Sequence, residues 1–350
     1  VSDSHTPASS YLTVIQDPER GREAWREAFR SAVASRNTIA GRDDVVGQND
    51  LTPFQHPTFL DGLERIVPWK RLFLHAPGVG SASVFLRHRG PVRDIVLPPF
   101  CPFSAVIPDE SAHASGSLLA ASPLLPPTRL FSLPPGVEAA ALGVTTRAEI
   151  KERFTYHLPS ASPEKAIEGW SSSQRRSFRK HADDYLYVVQ DQDALGHSAG
   201  AVRSDLVAVA ALAAAGYARH GARLPLGQGG LVSLSEDMIR SGLGRLHVLK
   251  DSKGDTVAGV VALANKRMAW YWLAGSEPGP VMTVLLGHLQ DALHTAGVPV
   301  LDLMGANTPG IAEFKRRFGG ELKSYLHVRT ASLAGRMAEK AARAFHRARS

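Results

Sequence analysis

A mixed α/β (α+β) fold is predicted by three features of the chain. Short β-prone runs alternate with amphipathic helical segments. Two of those runs, 256–264 and 268–274, are joined by the turn Asn265-Lys266-Arg267, which makes an antiparallel hairpin. The order of elements also departs from strict βαβ alternation, so a wholly parallel sheet is not expected. At 350 residues, with 44% hydrophobic and 21% charged residues, the chain has the length of two domains and a globular balance that excludes wholesale disorder.

Each element has its own signal. Residues 20–35 form an amphipathic helix, with Ala24, Trp25, Ala28, Phe29 and Ala32 at helical spacing. Residues 51–63 read as a turn and a short helix, with Thr52 as N-cap and Pro53 at the first helical position. Strands are expected at 71–75 and 81–87, on either side of the turn Gly78-Val79-Gly80. From 98 to 136 the prolines are dense (LPPFCPF, PLLPP, SLPPG), and loops are expected. Near residue 150 the texture changes. A strand at 154–158 precedes a helix opened by Ser162, Pro163 and Glu164. A basic helix at 173–183, a strand at 186–190 and a long apolar helix at 202–220 follow. Strands at 246–250, 256–264 and 268–274 lead to an amphipathic helix at 281–296. A strand at 298–303, a helix at 309–318 and a strand at 321–329 complete the pattern. The domain boundaries this implies are 1–150, 151–330 and a basic C-terminal helix at 331–350. In that tail Leu333, Met337, Ala341 and Phe345 recur every fourth residue.

Composition narrows the function. The single cysteine, Cys101, excludes a disulfide framework and a cysteine-based zinc or iron–sulfur site. The apolar run 207–218 is too short to span a bilayer, and the opening VSDSHTPASS lacks the pattern of a signal peptide. A soluble, cytoplasmic monomer with no transmembrane segment is the expectation. The net charge of +7 and pI of 9.6 favour a polyanionic partner such as RNA, a nucleotide or an anionic lipid, with a solvated basic surface as the plain alternative.

The glycine clusters at 78–80 and 227–230 complete neither a dinucleotide fingerprint nor a phosphate loop, and read as turns. No HExxH or GxSxG occurs. The histidines are scattered, and His288 and His294 are not at metal-ligand spacing, so no metal is expected. Two segments carry chemistry. In SSSQRRSFRK, Arg175, Arg176 and Arg179 lie on neighbouring turns of one helix, with Arg175 and Arg179 able to face one anion; a solvated basic face is the alternative. In LDLMGANTPGIAEFKRRFGGELKSY, Thr308 and Pro309 start a helix whose first amides suit an anion. Ile311, Phe314 and Phe318 form its buried stripe, and Lys315 leans out of that stripe toward a cleft.

With FKRRFGGEL after LDLMGANTPG, and TYHL…SPEKAIEGWSSSQRRSFRKH upstream, the chain resembles the Fem-type branch of the GNAT superfamily, over residues 154–329 and faintly over 51–110. The resemblance implies two GNAT-like domains and transfer of an amino acid from aminoacyl-tRNA to a small amine-bearing acceptor. It implies no cofactor beyond that donor. By resemblance, Lys315 stabilises the oxyanion or holds the tRNA 3′ end, and Phe314 packs by the terminal adenosine. Arg316 and Arg317 stand with them on the donor side, and Arg175, Arg176 and Arg179 meet acceptor phosphates or another anion. The chemistry of amide formation leaves the base open between Asp302, Tyr271 acting through water, and solvent alone, with a structural strand-end role as the alternative for Asp302.

Two departures from the pattern matter. The long charged helical arm that marks members acting on lipid-linked peptidoglycan is missing. The junction 274–283 (AGSEPGPVMT) does not match the loop that cradles the pyrophosphate of acetyl-CoA, because Pro278 and Pro280 lack amide donors. An acyl-CoA or acyl-carrier-dependent N-acyltransferase is the first rival reading, and a non-enzymatic RNA-binding module the second.

Overall fold

A computed structural model describes residues 13–15, 17–38, 51–76, 80–89, 92–108, 128–135, 148–331 and 335–337. Most of the basic tail, the N-terminal ten residues and Gly78-Val79 therefore lie outside the described residues. The chain forms two compact units: 1–50, 68–151 and 326–350 in one, 51–67 and 152–325 in the other.

The first unit is built on a sheet of order β1-β2-β3-β4-β6-β13, with β5 paired to β3. Its strands are β1 (Thr13–Ile15), β2 (Lys70–Ala76), β3 (Gly80–Arg89), β4 (Val92–Val96), β5 (Ala105–Pro108), β6 (Thr128–Leu133) and the end of β13 (Glu321–Ala331). Alternation puts Leu72, Leu74, Val84, Leu86, Ile95 and Phe131 on one apolar face. On α1 (Pro18–Thr38) the buried Trp25 meets Phe73 edge-on at 6.0 Å. The proline-dense stretch is not all loop, since it contributes β5 and β6. β6 contains no proline and β5 has one only at its last position, Pro108, and reciprocal bonds between Ser104 and Ser132 tie the proline run to the sheet. Cys101 is buried there, its thiol pushed up to about 12 by desolvation, which makes it inert.

The second unit carries β7 (Glu149–Pro159), β8 (Leu186–Gln190), β9 (Gly244–Lys250), β10 (Thr256–Ala264), β11 (Met268–Ser276) and β12 (Val300–Asp302). The sheet order is β7-β12-β11-β10-β9-β8. Only the β11–β12 pair is parallel; the expected hairpin is β10–β11. The helices are α2 (Pro57–Ile66), α3 (Pro163–Glu168), α4 (Ser172–His181), α5 (Gln192–Arg219), α6 (Gln228–Arg240), α7 (Val281–Thr295) and α8 (Pro309–Arg316).

Residues 51–67, grouped by sequence order with the first domain, pack in the second unit. Phe54 lies 5.7 Å from the Trp270 ring and Phe59 lies 5.9 Å from Trp272, so burial of aromatic surface decides where the segment goes. Helix α6 was not expected from the sequence. Gly227 is its N-cap, and the remaining glycines of that cluster lie inside the helix, where Gly230 leaves room for Ile66 of α2.

Helix α5 begins ten residues before the expected start, with non-helical angles at Ser198. Its 28 residues are long and apolar enough to cross a membrane by length and composition, which corrects the shorter reading of 207–218. The helix is seated on β10 and β11. A side chain at Gly259 or Gly275 would collide with Val209 or with the α5 backbone. The buried Asp205 accepts from Lys250 and Thr256 at 2.6 Å each and from Gln190 at 2.8 Å.

Candidate active site

Strand β12 follows β11 only from Met268↔Val300 to Trp270↔Asp302; beyond that the two part, and β11 runs on to Ser276. The chain leaving β12 is pinned to β7. Leu303 N–H donates to the Tyr156 carbonyl at 2.9 Å, and Ala306 N–H to that of Phe154 at 2.7 Å. Between these anchors Met304 (φ 52°) and Gly305 (φ 41°) are left-handed. For a non-glycine residue that conformation costs about 1–2 kcal/mol and needs compensation.

Lys315 supplies it. Its Nζ donates to the carbonyls of Leu303 at 2.6 Å, Gly305 at 3.0 Å and Met304. An ammonium has three N–H donors, and three carbonyls take them. The sequence reading of this helix is corrected here: Ile311 is exposed and Phe314 half-buried, while Lys315 is the buried residue of α8. Burial brings the Lys315 ammonium down to about 8, against the opposing pull of Asp302. It also lies 5.8 Å from the centre of the Tyr271 ring. Tyr271 is no base in this arrangement. Its hydroxyl donates to Met282 Sδ at 3.0 Å, and burial raises its pKa well above the usual phenol range.

Asp302 is 1% exposed. Its Oδ1 accepts from Thr155 Oγ1 and from Met304 N–H at 2.7 Å, so the carboxylate also helps hold the left-handed turn. Its Oδ2 faces His157 Nε2 at 3.5 Å across the β7–β12 register. Neither Thr155 nor His157 was singled out from sequence. The alternation Thr155-Tyr156-His157 puts both on one face, but only the register sets them against Asp302.

The basic helix α4 lies on α7. Phe178 packs on Gly287, where a side chain would collide with the ring, and Thr283 Oγ1 donates to Gln174 Oε1 at 3.1 Å. The start of α4 is tied to the end of α8, since Ser171 N–H donates to the Arg317 carbonyl at 2.7 Å. A chain of contacts thus joins Tyr271, Met282, Thr283 and Gln174 to the arginines. The outer face, Ser172, Arg175, Arg176, Arg179 and Lys180, lines an open depression of about 490 Å³. Arg175 donates to the Glu168 carbonyl at 2.9 Å. Among the described residues no carboxylate pairs with these four cations. Arg316 and Arg317 differ, because both grip Glu313, at 2.8 and 3.1 Å. Those bonds hold the Glu313 carboxyl down to about 2. Glu313 therefore balances one of the two arginine charges read as donor-binding.

A search of curated proteins returns no match to the sequence. Residues 172–316 match the acetyltransferase (GNAT) domain family, from the first residue of α4 to the last of α8. The fold is similar to that of FemX, at 11% identity and a TM-score of 0.50, over 77% of this chain and 90% of that one. It is also similar to the C-terminal domain of a protein designated a lysylphosphatidylglycerol synthetase from Agrobacterium fabrum, at 14% identity and a TM-score of 0.53, over 88% and 92% of the two chains. Residues 172–316 thus match the acetyltransferase (GNAT) domain family, and the chain that carries them has a fold similar to that of FemX.

Proposed function

We propose that the protein is a cytoplasmic acyltransferase that forms an amide bond, moving an amino acid from aminoacyl-tRNA to the amine of a small acceptor, a natural product or a cell-wall precursor. The ester donor is already activated, so the enzyme supplies position and charge and needs no covalent intermediate. Lys315 serves this reaction by fixing the turn 303–305, because its donors are occupied. The depression on α4 receives an anion of the acceptor or of the RNA.

The observation that carries the choice of donor is the junction between β11 and α7. Pro280 is the N-cap of α7 and Pro278 stands two residues before it, so amides that would cradle a pyrophosphate are missing. An acyl-CoA donor is the second reading, favoured by the acetyltransferase description of the matching family. Incubation with labelled aminoacyl-tRNAs and candidate amine acceptors tests the proposal. Amide product that RNase abolishes is expected, with acetyl-CoA left untouched. Product from acyl-CoA that RNase does not affect would establish the second reading. Binding indifferent to tRNA charging, without product, would reduce the protein to an RNA-binding module.

A further inference from the structure

Amide formation from an amine requires that the acceptor ammonium lose a proton before attack, and the residues first considered for this are poorly placed. The Tyr271 hydroxyl keeps its proton and donates it in a hydrogen bond to Met282 Sδ. Asp302 is almost wholly enclosed, with one oxygen already accepting from Thr155 and Met304. His157, one strand over, is different. Its side chain is 14% exposed, yet Nε2 is enclosed, makes no hydrogen bond, and points at Asp302 Oδ2 from 3.5 Å. Nδ1, by contrast, is not among the enclosed polar atoms left without a partner. The charged groups facing the imidazole are Asp302 from β12 and Glu321 from β13.

We propose that His157 is the proton acceptor of the transfer reaction, with Asp302 fixing its ring. Asp302 takes the Nε2–H, which leaves the lone pair on Nδ1. The 3.5 Å separation is a small step from a hydrogen bond, and catalytic contacts are commonly this long before substrate binds. The acceptor ammonium passes one proton to Nδ1. The neutral amine forms the C–N bond, and the carbonyl π pair moves to oxygen. When that pair returns, the ester C–O bond breaks and the ribose oxygen leaves with its electrons. The ribose oxygen takes a proton from the imidazolium, and the new amide nitrogen gives its extra proton to solvent. This inference rests on the acyl-transfer reading, and its test separates the two.

The full-length protein labelled with 15N-histidine gives the ring tautomer directly from long-range 1H–15N correlations, with the His157 signal assigned by its loss in His157→Gln. Protonated Nε2 and bare Nδ1 are expected; the opposite tautomer overturns the proposal whatever the substrate. Turnover is then followed with aminoacyl-tRNA and two amines: ethanolamine, an ammonium at neutral pH, and hydroxylamine, already unprotonated there. His157→Gln is expected to lose about 10²-fold with ethanolamine and to keep most of its rate with hydroxylamine. Equal losses with both amines overturn the proposal and make His157 structural. A wild-type protein inert toward aminoacyl-tRNA with either amine would strike the donor assignment instead, and the tautomer would decide His157 alone.

Discussion

The Lys315 ammonium lies 2.6 Å from the Leu303 carbonyl oxygen, and through this bond helix α8 holds the exit of β12 in its left-handed turn. The same lysine meets the two following carbonyls, so its charge is spent on backbone rather than offered to a cleft.

Lys315→Met keeps the length of the side chain and removes all three donors. Stability is expected to fall by about 1–3 kcal/mol, the cost of leaving charge-assisted acceptors unmet. Turnover is expected to fall by about 10²-fold. Urea denaturation and single-turnover kinetics check the pair. A variant with unchanged stability and lost turnover would return Lys315 to direct chemistry.

The exposed arginines of α4 make a cleaner case, because Arg176 and Arg179 carry no bond that the fold needs. Replacing both with Gln should move stability by no more than about 0.5 kcal/mol. If RNA phosphate is the anion, each lost contact flattens the plot of log affinity against log salt by about 0.7–0.9. If acceptor phosphate is the anion, the acceptor KM rises and the RNA slope is unchanged. If neither moves, the helix is a solvated face whose last-turn cations only complement its dipole.

Asp205 tests how α5 is held. Asp205→Ala leaves the Lys250 ammonium and the hydrogen-bonding groups of Gln190 and Thr256 without their common acceptor. A loss of about 3 kcal/mol is expected. The double variant Asp205→Ala/Lys250→Met is expected to recover part of it, because the uncompensated charge is gone. Chemical denaturation of the three variants against wild type reads the coupling; strictly additive losses would mean the pair does not act as a unit.

Much of the second unit was legible because its periodicities are long and clean: the hairpin through Asn265, the stripe of α7 and the strand before Pro309 all lie where the pattern puts them. Short elements were less legible. β1 and β12 have three residues each, and β5 is hidden among prolines. α6 was hidden because its glycines signal a turn, and of these only Gly230 has a packing reason to sit inside the helix, its close contact with Ile66. At the site, the residue types were readable but their directions were not. Lys315 follows Phe314 in sequence, yet its orientation depends on the backbone at Met304, where no local rule demands a positive φ. His157 carries no motif; its meaning comes from a strand register that the sequence does not state.

The pH profile offers the sharpest check on Lys315, because activity and stability should respond with opposite sign. Burial lowers this ammonium to about 8, below the ordinary lysine value of about 10.4. As pH rises through 8 the folded protein gives up the proton while the unfolded chain still holds it. Over that window the unfolded state binds more protons, so the contribution of this group to stability rises with pH. The neutral amine, however, has two N–H donors and a lone pair facing three carbonyls, so one contact to the turn is lost. Turnover is therefore expected to decline with a midpoint near pH 8, after correction for spontaneous ester hydrolysis, while urea denaturation at the same pH values shows no matching loss of stability. Lys315→Met should lack this alkaline limb. A limb that persists in the variant, or one that tracks unfolding in the wild type, would show that the decline comes from another group.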